Sequence, residues 1–238
     1  MSNIKGFTWL LLAGLALSGC ATDSSGQNDP YERANRAIFA VDLKIDHYIA
    51  RPVAVVYNRA IPQLARDDIH NFLSNLDSPV TLGNDILQGE TDRAGQTLGR
   101  VVVNSTLGLG GLVDVGARIG ILGHEEDFGQ TLAVWGVGEG PYLVLPLAGP
   151  STPRDLTGSI ADIAMDPLAY AKWHNSAASL ITREVFEIVD LRARNVDTLD
   201  QIERASVDLY AGVRSFYRQH RNAEIRNGAT HSSDLPDL

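Results

Sequence analysis

Residues 62–76 read PQLARDDIHNFLSNL, and this stretch decides the fold class. Pro62 suits the start of a helix because the N–H that proline lacks has no intrahelical partner there. Asp67 and Asp68 follow early, where negative charge favours the positive end of the helix dipole. Large apolar residues then recur at helical spacing, at Leu64, Ile69, Phe72, Leu73 and Leu76. The stretch therefore predicts an amphipathic α-helix.

The same spacing on both sides of this stretch predicts a mainly α-helical chain. Apolar residues fit one helix between Ile38 and Ile49 and further helices between Leu180 and Phe216. Pro52 is expected to break the first of these, and Pro79 is expected to start a separate short helix, because proline disfavours a helical residue before it. Gly89 is expected to stop that short helix.

A further helix start is expected at Ser151-Thr152-Pro153, where hydroxyl side chains can cap free N–H groups. The apolar residues that follow it, Leu156, Ile160 and Ile163, lie three and four positions apart. We expect them to form the buried stripe of this helix.

Residues 108–140 have a different character, with ten glycines among 33 residues. Such density requires unusual backbone angles, close backbone packing or mobility. Two apolar runs, Thr131–Trp135 and Pro141–Leu147, are separated by five residues rich in glycine. They predict a small β-hairpin near 131–147.

The composition excludes several classes of protein. A length of 238 residues suits one large domain or two small ones, and a net charge of -9 argues against nucleic-acid binding. Of the 20 positive residues 17 are arginine, which favours fork-shaped contacts with anions. The single cysteine rules out a disulfide framework within the chain and any CxxC zinc or redox site.

The N-terminus predicts a lipid anchor. Lys5 precedes an apolar run from Phe7 to Leu17, which is typical of a secretory signal peptide and too short to span a membrane. Leu17-Ser18-Gly19-Cys20 resembles the bacterial lipobox, in which the cysteine is acylated. An ordinary signal peptide with a chance cysteine is the alternative, but the only cysteine stands at the one position that this chemistry requires.

The predicted organisation has four parts. Residues 1–19 are a cleaved signal peptide and 20–28 a lipidated tether, rich in small polar residues. Residues 29–227 form the helical domain, and 228–238 are a flexible tail.

Motifs for catalysis or cofactor binding are missing. The chain lacks a G-x-S-x-G nucleophile elbow, an H-E-x-x-H zinc motif and a P-loop. The acidic run Glu125-Glu126-Asp127 could hold a divalent cation through its oxygens, although a solvated loop is the commoner meaning. Arg154-Asp155 suits either contact with a phosphate headgroup or a helix-start ion pair. We expect no cofactor, no metal and no catalytic residue.

Short motifs follow one another in a fixed order from Asp29 to Asp166. They are Asp29-Pro30-Tyr31-Glu32, Asn35-Arg36, Arg51-Pro52-Val53-Ala54, Asn71-Phe72, Leu87-Gln88-Gly89, Asn104-Ser105, Gly110-Gly111, Asp127-Phe128-Gly129-Gln130-Thr131-Leu132, Gly140-Pro141-Tyr142 and Arg154-Asp155. In this order and spacing they resemble the MlaA/VacJ family of outer-membrane lipoproteins. The lipobox agrees with that resemblance independently.

The resemblance implies a fold and a function. The fold is a ring of amphipathic helices that lies in one membrane leaflet around a central pore. The function is retrograde phospholipid transport, in which mislocalised phospholipid leaves the outer leaflet and passes to a soluble periplasmic carrier (MlaC). The implied protein faces the periplasm from the inner leaflet of the outer membrane, held by N-acyl and diacylglycerol chains. A trimeric porin is the expected partner, and no enzymatic step is implied.

Within this hypothesis, certain residues are candidates for the lipid path or its gating: Gly108, Gly110, Gly111, Arg100, Arg154 and Asp155. Two other functions remain open. A periplasm-facing lipid hydrolase would need Ser151 or Ser105 as its nucleophile. A non-transporting envelope scaffold would bind porin or a cell-wall component and carry no lipid.

Replacing Cys20 with alanine is expected to abolish lipidation and outer-membrane retention, because the acyl chains supply the anchoring energy. Membrane fractionation with mass analysis of the mature N-terminus measures both. A Cys20→Ala protein that stayed fully membrane-bound and active would contradict the tether.

Overall fold

The structure is a computed structural model that describes residues 28–170 and 176–227. The predicted signal peptide at 1–19, Cys20, nearly all of the predicted tether and the predicted tail at 228–238 lie outside the described residues. In chain order the helices are α1 (Glu32–Ile45), a π-helical turn (Asp46–Ala50), α2 (Arg51–Ala60), α3 (Gln63–Gln88), α4 (Thr91–Thr106), α5 (Val115–Arg118), α6 (Phe128–Val134), α7 (Pro153–Met165), a 3₁₀ turn (Pro167–Tyr170), α8 (Ser176–Arg194), α9 (Val196–Ala205) and α10 (Leu209–Ile225). The mainly helical fold is confirmed.

The expected breaks at Pro52 and Pro79 are wrong. Helical backbone continues from α1 into α2, and the π-helical turn immediately before Arg51 leaves room for the ring of Pro52. Pro79 lies inside α3, a helix of 26 residues that packs along α4. Tertiary packing therefore outweighs one missing hydrogen bond. Gly89 does end α3, in the left-handed conformation at φ 81°.

The predicted hairpin is half wrong. Strands β1 (Leu143–Leu145) and β2 (Gly149–Ser151) pair antiparallel, with Val144 opposite Pro150. The first expected strand, Thr131–Trp135, is instead mostly part of α6. The reason is a helix cap, because the carboxylate of Asp127 accepts a hydrogen bond from the Gln130 N–H at 2.9 Å.

The distribution of polarity is the reverse of that in ordinary soluble domains. Among the described residues, 16 buried side chains are polar or charged and only six are apolar. Large apolar residues lie on the exterior of most helices, among them Tyr48, Ile49, Leu98, Val102, Ile160, Ile163 and Phe186. The helices thus present their polar faces to one another and their apolar faces outward.

Helix α7 illustrates the reversal. Its apolar stripe was expected to be buried, but Ile160 and Ile163 are 60% and 66% exposed. The buried face carries Arg154, Asp155 and Gly158 instead. The periodicity correctly predicts which residues share one face of α7. It does not show whether that face is turned toward the protein interior or outward, and the expectation of burial is wrong.

A small aromatic core joins the two ends of the described chain. Tyr142 and Val144 of the strand region pack with Tyr210 of α10, and Phe39 of α1 meets Tyr210 edge-on at 5.7 Å. Asp29, which is 2% exposed, accepts hydrogen bonds from Asn35, Tyr210 and Arg214 beside this core. The first and last described helices are therefore fastened together. Within the described residues, no helix combines the length and apolarity needed to cross a membrane.

Helices α6 and α7 cross so closely that only glycine fits at the contact. A Cβ at Gly158 would lie 2.6 Å from the Cα of Gly129, inside van der Waals distance. Gly158→Ala is therefore expected to lower the free energy of unfolding by about 1–3 kcal/mol, the usual cost of overpacking. Denaturant titration in detergent measures the change.

Gly138→Ala is the matched control, since no atom lies within 4 Å of the position that its Cβ would occupy. Equal stability of the two variants would contradict the tight crossing.

Candidate functional site

A network of buried polar side chains links three helices in the interior. Asn84 of α3 is fully buried, and its amide donates to the Asp162 carboxylate of α7 at 3.0 Å. The hydroxyl of Thr131 on α6 donates to the Asn84 Oδ1 at 2.8 Å. Asp162 also accepts the Phe128 N–H at 3.0 Å. Each of these buried groups thus finds a partner inside the protein, as burial requires.

A second cluster contains Asp85, His124 and Glu126. Their ligand atoms lie within 4.8 Å of one another, a spacing compatible with a metal ion. Arg93 already supplies a cation here, because its Nη2 lies 2.6 Å from a Glu126 oxygen and its Nε 3.8 Å from Asp85. Burial raises the pKa of Glu126, although Gln88 and Arg93 act against that rise.

The acidic run at 125–127 therefore does not act as one group. Glu125 is exposed, Glu126 is buried against Arg93, and Asp127 caps α6 while binding both Nη atoms of Arg221 at 2.5 and 2.7 Å. Neither of the two alternatives for this run, a cation site or a solvated loop, describes all three residues.

A third cluster surrounds Asp155 at the start of α7. Its two carboxylate oxygens accept hydrogen bonds from four side chains: Thr152, Arg154, Tyr217 and Arg221. Burial alone would raise the pKa of Asp155, but donation from Tyr217 and the charge of Arg221 lower it below its usual value. The helix-start ion pair that Arg154 and Asp155 suggested is present, with 3.1 Å between Arg154 Nε and Asp155 Oδ1.

Arg100 lies against the glycine-rich segment. Its guanidinium donates to the Ile121 carbonyl at 2.7 Å and to the Asp114 carboxylate at 2.9 Å. A Cβ at Gly108 would collide with the Val113 carbonyl, and one at Gly111 would lie 2.6 Å from the Asn75 Cβ. These two glycines therefore permit close packing of the segment onto α3 and α4.

Gly110 serves a different purpose. It adopts φ +76° with nothing within 4 Å of its Cβ position, so its backbone angle alone favours glycine. Gly108 and Gly111 thus pack near Asn104 and Asn75, whereas Arg100 contacts the glycine-rich segment further along the chain, at Asp114 and Ile121. Arg154 and Asp155 lie in the separate α7 cluster.

The two serines considered as nucleophiles have other partners. The Ser151 hydroxyl donates to the Thr152 carbonyl at 3.3 Å, and the Ser105 hydroxyl accepts from Asn75 at 3.1 Å. Among the described residues, neither serine hydrogen bonds to a histidine. In the described part of the chain, neither of these two serines therefore has a histidine base that would activate it as a nucleophile.

Sequence reasoning missed several members of these clusters, including Asn84, Asp162 and Arg221. A signal for Asn84 was present on α3, where the polar residues Thr81, Asn84, Asp85 and Gln88 recur at helical spacing. In an ordinary soluble domain such a polar stripe would face the solvent. It indicates buried residues only in a protein whose apolar helix faces are turned outward. The partners of Arg221, Asp127 and Asp155, lie 94 and 66 positions away in the chain, a separation that local patterns do not reveal.

Comparison with known proteins gives consistent results. The family model described as MlaA lipoprotein matches residues 27–224. The "Intermembrane phospholipid transport system lipoprotein MlaA" of Escherichia coli (strain K12) is 38% identical over 222 residues, covering 92% of this chain and 85% of the relative. The protein of the same name from Haemophilus influenzae is 32% identical over 238 residues, covering 95% and 94%.

A solved structure is also similar. It comes from work on the "Structural basis for maintenance of bacterial outer membrane lipid asymmetry" and superposes with a TM-score of 0.74 at 36% identity. The match covers 83% of this chain and 98% of the solved one.

Loss of Arg221 should reduce stability in a pH-dependent way. Arg221→Gln removes the cation that helps to lower the pKa values of Asp127 and Asp155. Stabilisation from such carboxylates is complete above their unfolded pKa, about 3.9, and is lost as the pH falls through the lower folded pKa. We expect a stability deficit of about 3 kcal/mol at pH 7 that shrinks below about pH 4.

Denaturation midpoints of both proteins across this pH range measure the deficit. Arg59→Gln is the control, because Arg59 is exposed and has no ion pair among the described residues. A deficit that stayed constant down to about pH 2 would contradict the role of the two carboxylates.

Proposed function

The chain belongs to the MlaA lipoprotein family, and we propose that it removes mislocalised phospholipid from the outer leaflet of the outer membrane and passes it to a periplasmic carrier. The observation that carries the proposal is the reversed distribution of polarity, with polar side chains inside and apolar side chains outside. Its named relatives are lipoproteins of an intermembrane phospholipid transport system.

The apolar exterior suits burial in lipid rather than in water. Exposed residues such as Tyr48, Val102 and Ile160 lie on different helices, so they are not one isolated patch. Helices too short to span can lie along a leaflet with their apolar faces in the acyl chains. We therefore place the helical domain in the inner leaflet, as a ring around a central pore, anchored through acylated Cys20.

The polar interior suits passage of a headgroup. Moving a charged headgroup through an apolar environment is costly unless hydrogen-bonding groups replace its water. The clusters around Asn84, Glu126 and Asp155 make the interior polar where α3, α4, α6, α7 and α10 meet the loop before α6, so a headgroup path beside them would not run through an apolar core. The segment at 107–114, packed by Gly108 and Gly111, is the proposed gate beside this path.

The lipid would leave without chemical change, and two partners complete the route. A soluble MlaC-like carrier receives the phospholipid on the periplasmic side, and a trimeric porin holds the ring in the outer membrane.

Lipid analysis of the purified, acylated protein separates transport from the alternatives. Native mass spectrometry should detect intact phospholipid bound to the detergent-extracted protein. Production of lyso-lipid during incubation would instead indicate a hydrolase, and protein free of phospholipid would indicate a scaffold. Deletion of the gene should sensitise cells to detergent, because outer-leaflet phospholipid weakens the barrier.

A charge on the outward face of α7 should disturb membrane embedding. Ile160 is 60% exposed, so Ile160→Asp places a carboxylate where we propose acyl chains, at a cost of about 2–4 kcal/mol near the middle of the hydrocarbon. We expect weaker protection from protease in vesicles and loss of rescue in the detergent-sensitivity assay.

Ile160→Leu is the control, since it keeps the surface apolar. If Ile160→Asp behaved like Ile160→Leu in both assays, this face of α7 would not lie in lipid.

A further inference from the structure

We propose that the guanidinium of Arg154 is a phosphate-binding group, and that it holds the headgroup phosphate of the transported lipid. The inference rests on the proposed function for the identity of the lipid. The phosphate site itself rests on the geometry of one side chain.

Arg154 is buried but only partly paired. Its side chain is 7% exposed, and its Nε donates to Asp155 at 3.1 Å. Neither Nη atom has a hydrogen-bond partner among the described residues. Both Nη atoms nevertheless retain contact with solvent, because they are absent from the fully enclosed atoms without partners. The outer edge of the guanidinium is therefore unpaired within the described residues and touches solvent.

Asp155 cannot satisfy these remaining N–H groups. Its Oδ1 already accepts from Arg154 Nε and Arg221 Nη2, and its Oδ2 accepts from the hydroxyls of Thr152 and Tyr217. With two donors on each oxygen the carboxylate is saturated. It fixes the orientation of Arg154 while leaving the N–H bonds of both Nη atoms for another acceptor.

Other arginines of the domain behave differently. Arg214, the other buried arginine, reaches Asp29 through its Nη1 at 2.6 Å, and Arg221 uses both Nη atoms on Asp127. Arg59 and Arg118, which have no ion pair in the described part of the chain, are exposed to solvent, and the half-buried Arg66 uses its Nη1 on Asn58. Among the described residues, Arg154 alone combines burial with a free outer edge.

This combination points to an anion with several oxygens. A planar guanidinium binds phosphate in a bidentate manner, through two parallel N–H···O bonds. Because neither Nη atom is paired within the described residues, such a ligand could bind both without breaking a hydrogen bond inside the protein. Phosphate is the anion that every phospholipid headgroup contains, and inorganic phosphate offers the same oxygens.

The test compares lipids with and without phosphate. Wild-type protein in detergent is exchanged with phosphatidylglycerol or with diacylglycerol of the same acyl chains, and retained lipid is counted by native mass spectrometry. We expect retention of phosphatidylglycerol to fall about tenfold in Arg154→Gln, which corresponds to about 1.4 kcal/mol. Diacylglycerol retention should not change.

Two further variants separate binding from folding. Arg154→Lys keeps a positive charge beside Asp155 but cannot form the bidentate contact, so it should also lose phosphatidylglycerol. Arg59→Gln removes an exposed arginine and should retain lipid like the wild type. Thermal unfolding of each variant confirms that the lipid measurements compare folded proteins.

Inorganic phosphate alone identifies the source of the ligand. If it raises the wild-type unfolding temperature through Arg154 while no phospholipid binds, the site holds free phosphate and the transport proposal fails. If the wild type and both Arg154 variants retain phosphatidylglycerol equally, the phosphate site is overturned and transport stands.

Discussion

Internal satisfaction of polar groups is the constraint on which this fold depends. The outward faces of the helices are apolar, and most of the buried polar side chains on their inner faces find partners within the protein. Asn84 shows how this works, since it binds Thr131 on one helix and Asp162 on another. The hydrophobic effect normally drives a core together, but here hydrogen bonds and ion pairs specify which helices meet.

Close backbone contact makes this arrangement possible. Short side chains such as those of Asn84 and Thr131 reach across a helix interface only when the backbones approach closely. The glycines at 129 and 158 permit such an approach between α6 and α7. Asp127 and Asp155, which flank this crossing, are then both within reach of Arg221 on α10. The crossing therefore positions a carboxylate pair that fastens the last helix.

The sequence correctly predicted local features such as helix ends. It did not correctly predict which face of a helix is exposed. Thr152 and Gly89 lie at a helix start and a helix stop as expected, because capping depends on residues within one turn. The prediction that a separate helix starts at Pro79 is wrong because the effect of proline is local, whereas α3 is held by packing along its whole length. The predicted burial of Ile160 and Ile163 is wrong for another reason. An apolar stripe has the same spacing whether it faces a protein core or the exterior. The clusters around Asp85 and Asp155 join distant segments, so local patterns mark Asp85 and the pair Arg154-Asp155 without indicating their distant partners.

Arg154 differs from Arg221, its neighbour on Asp155, because both Nη atoms of Arg154 lack a partner within the described residues, whereas both Nη atoms of Arg221 bind carboxylates. A fully satisfied polar interior gains nothing by exchanging its internal bonds for those of a ligand. Passage of a headgroup therefore needs at least one group whose best partner is absent from the protein. Asp155 supplies the other half of that requirement, because four donors hold it in place and it in turn holds Arg154. An orientation fixed before the ligand arrives lowers the entropy cost of binding. The same saturated carboxylate that stabilises the fold thus leaves one cation available for transient contact.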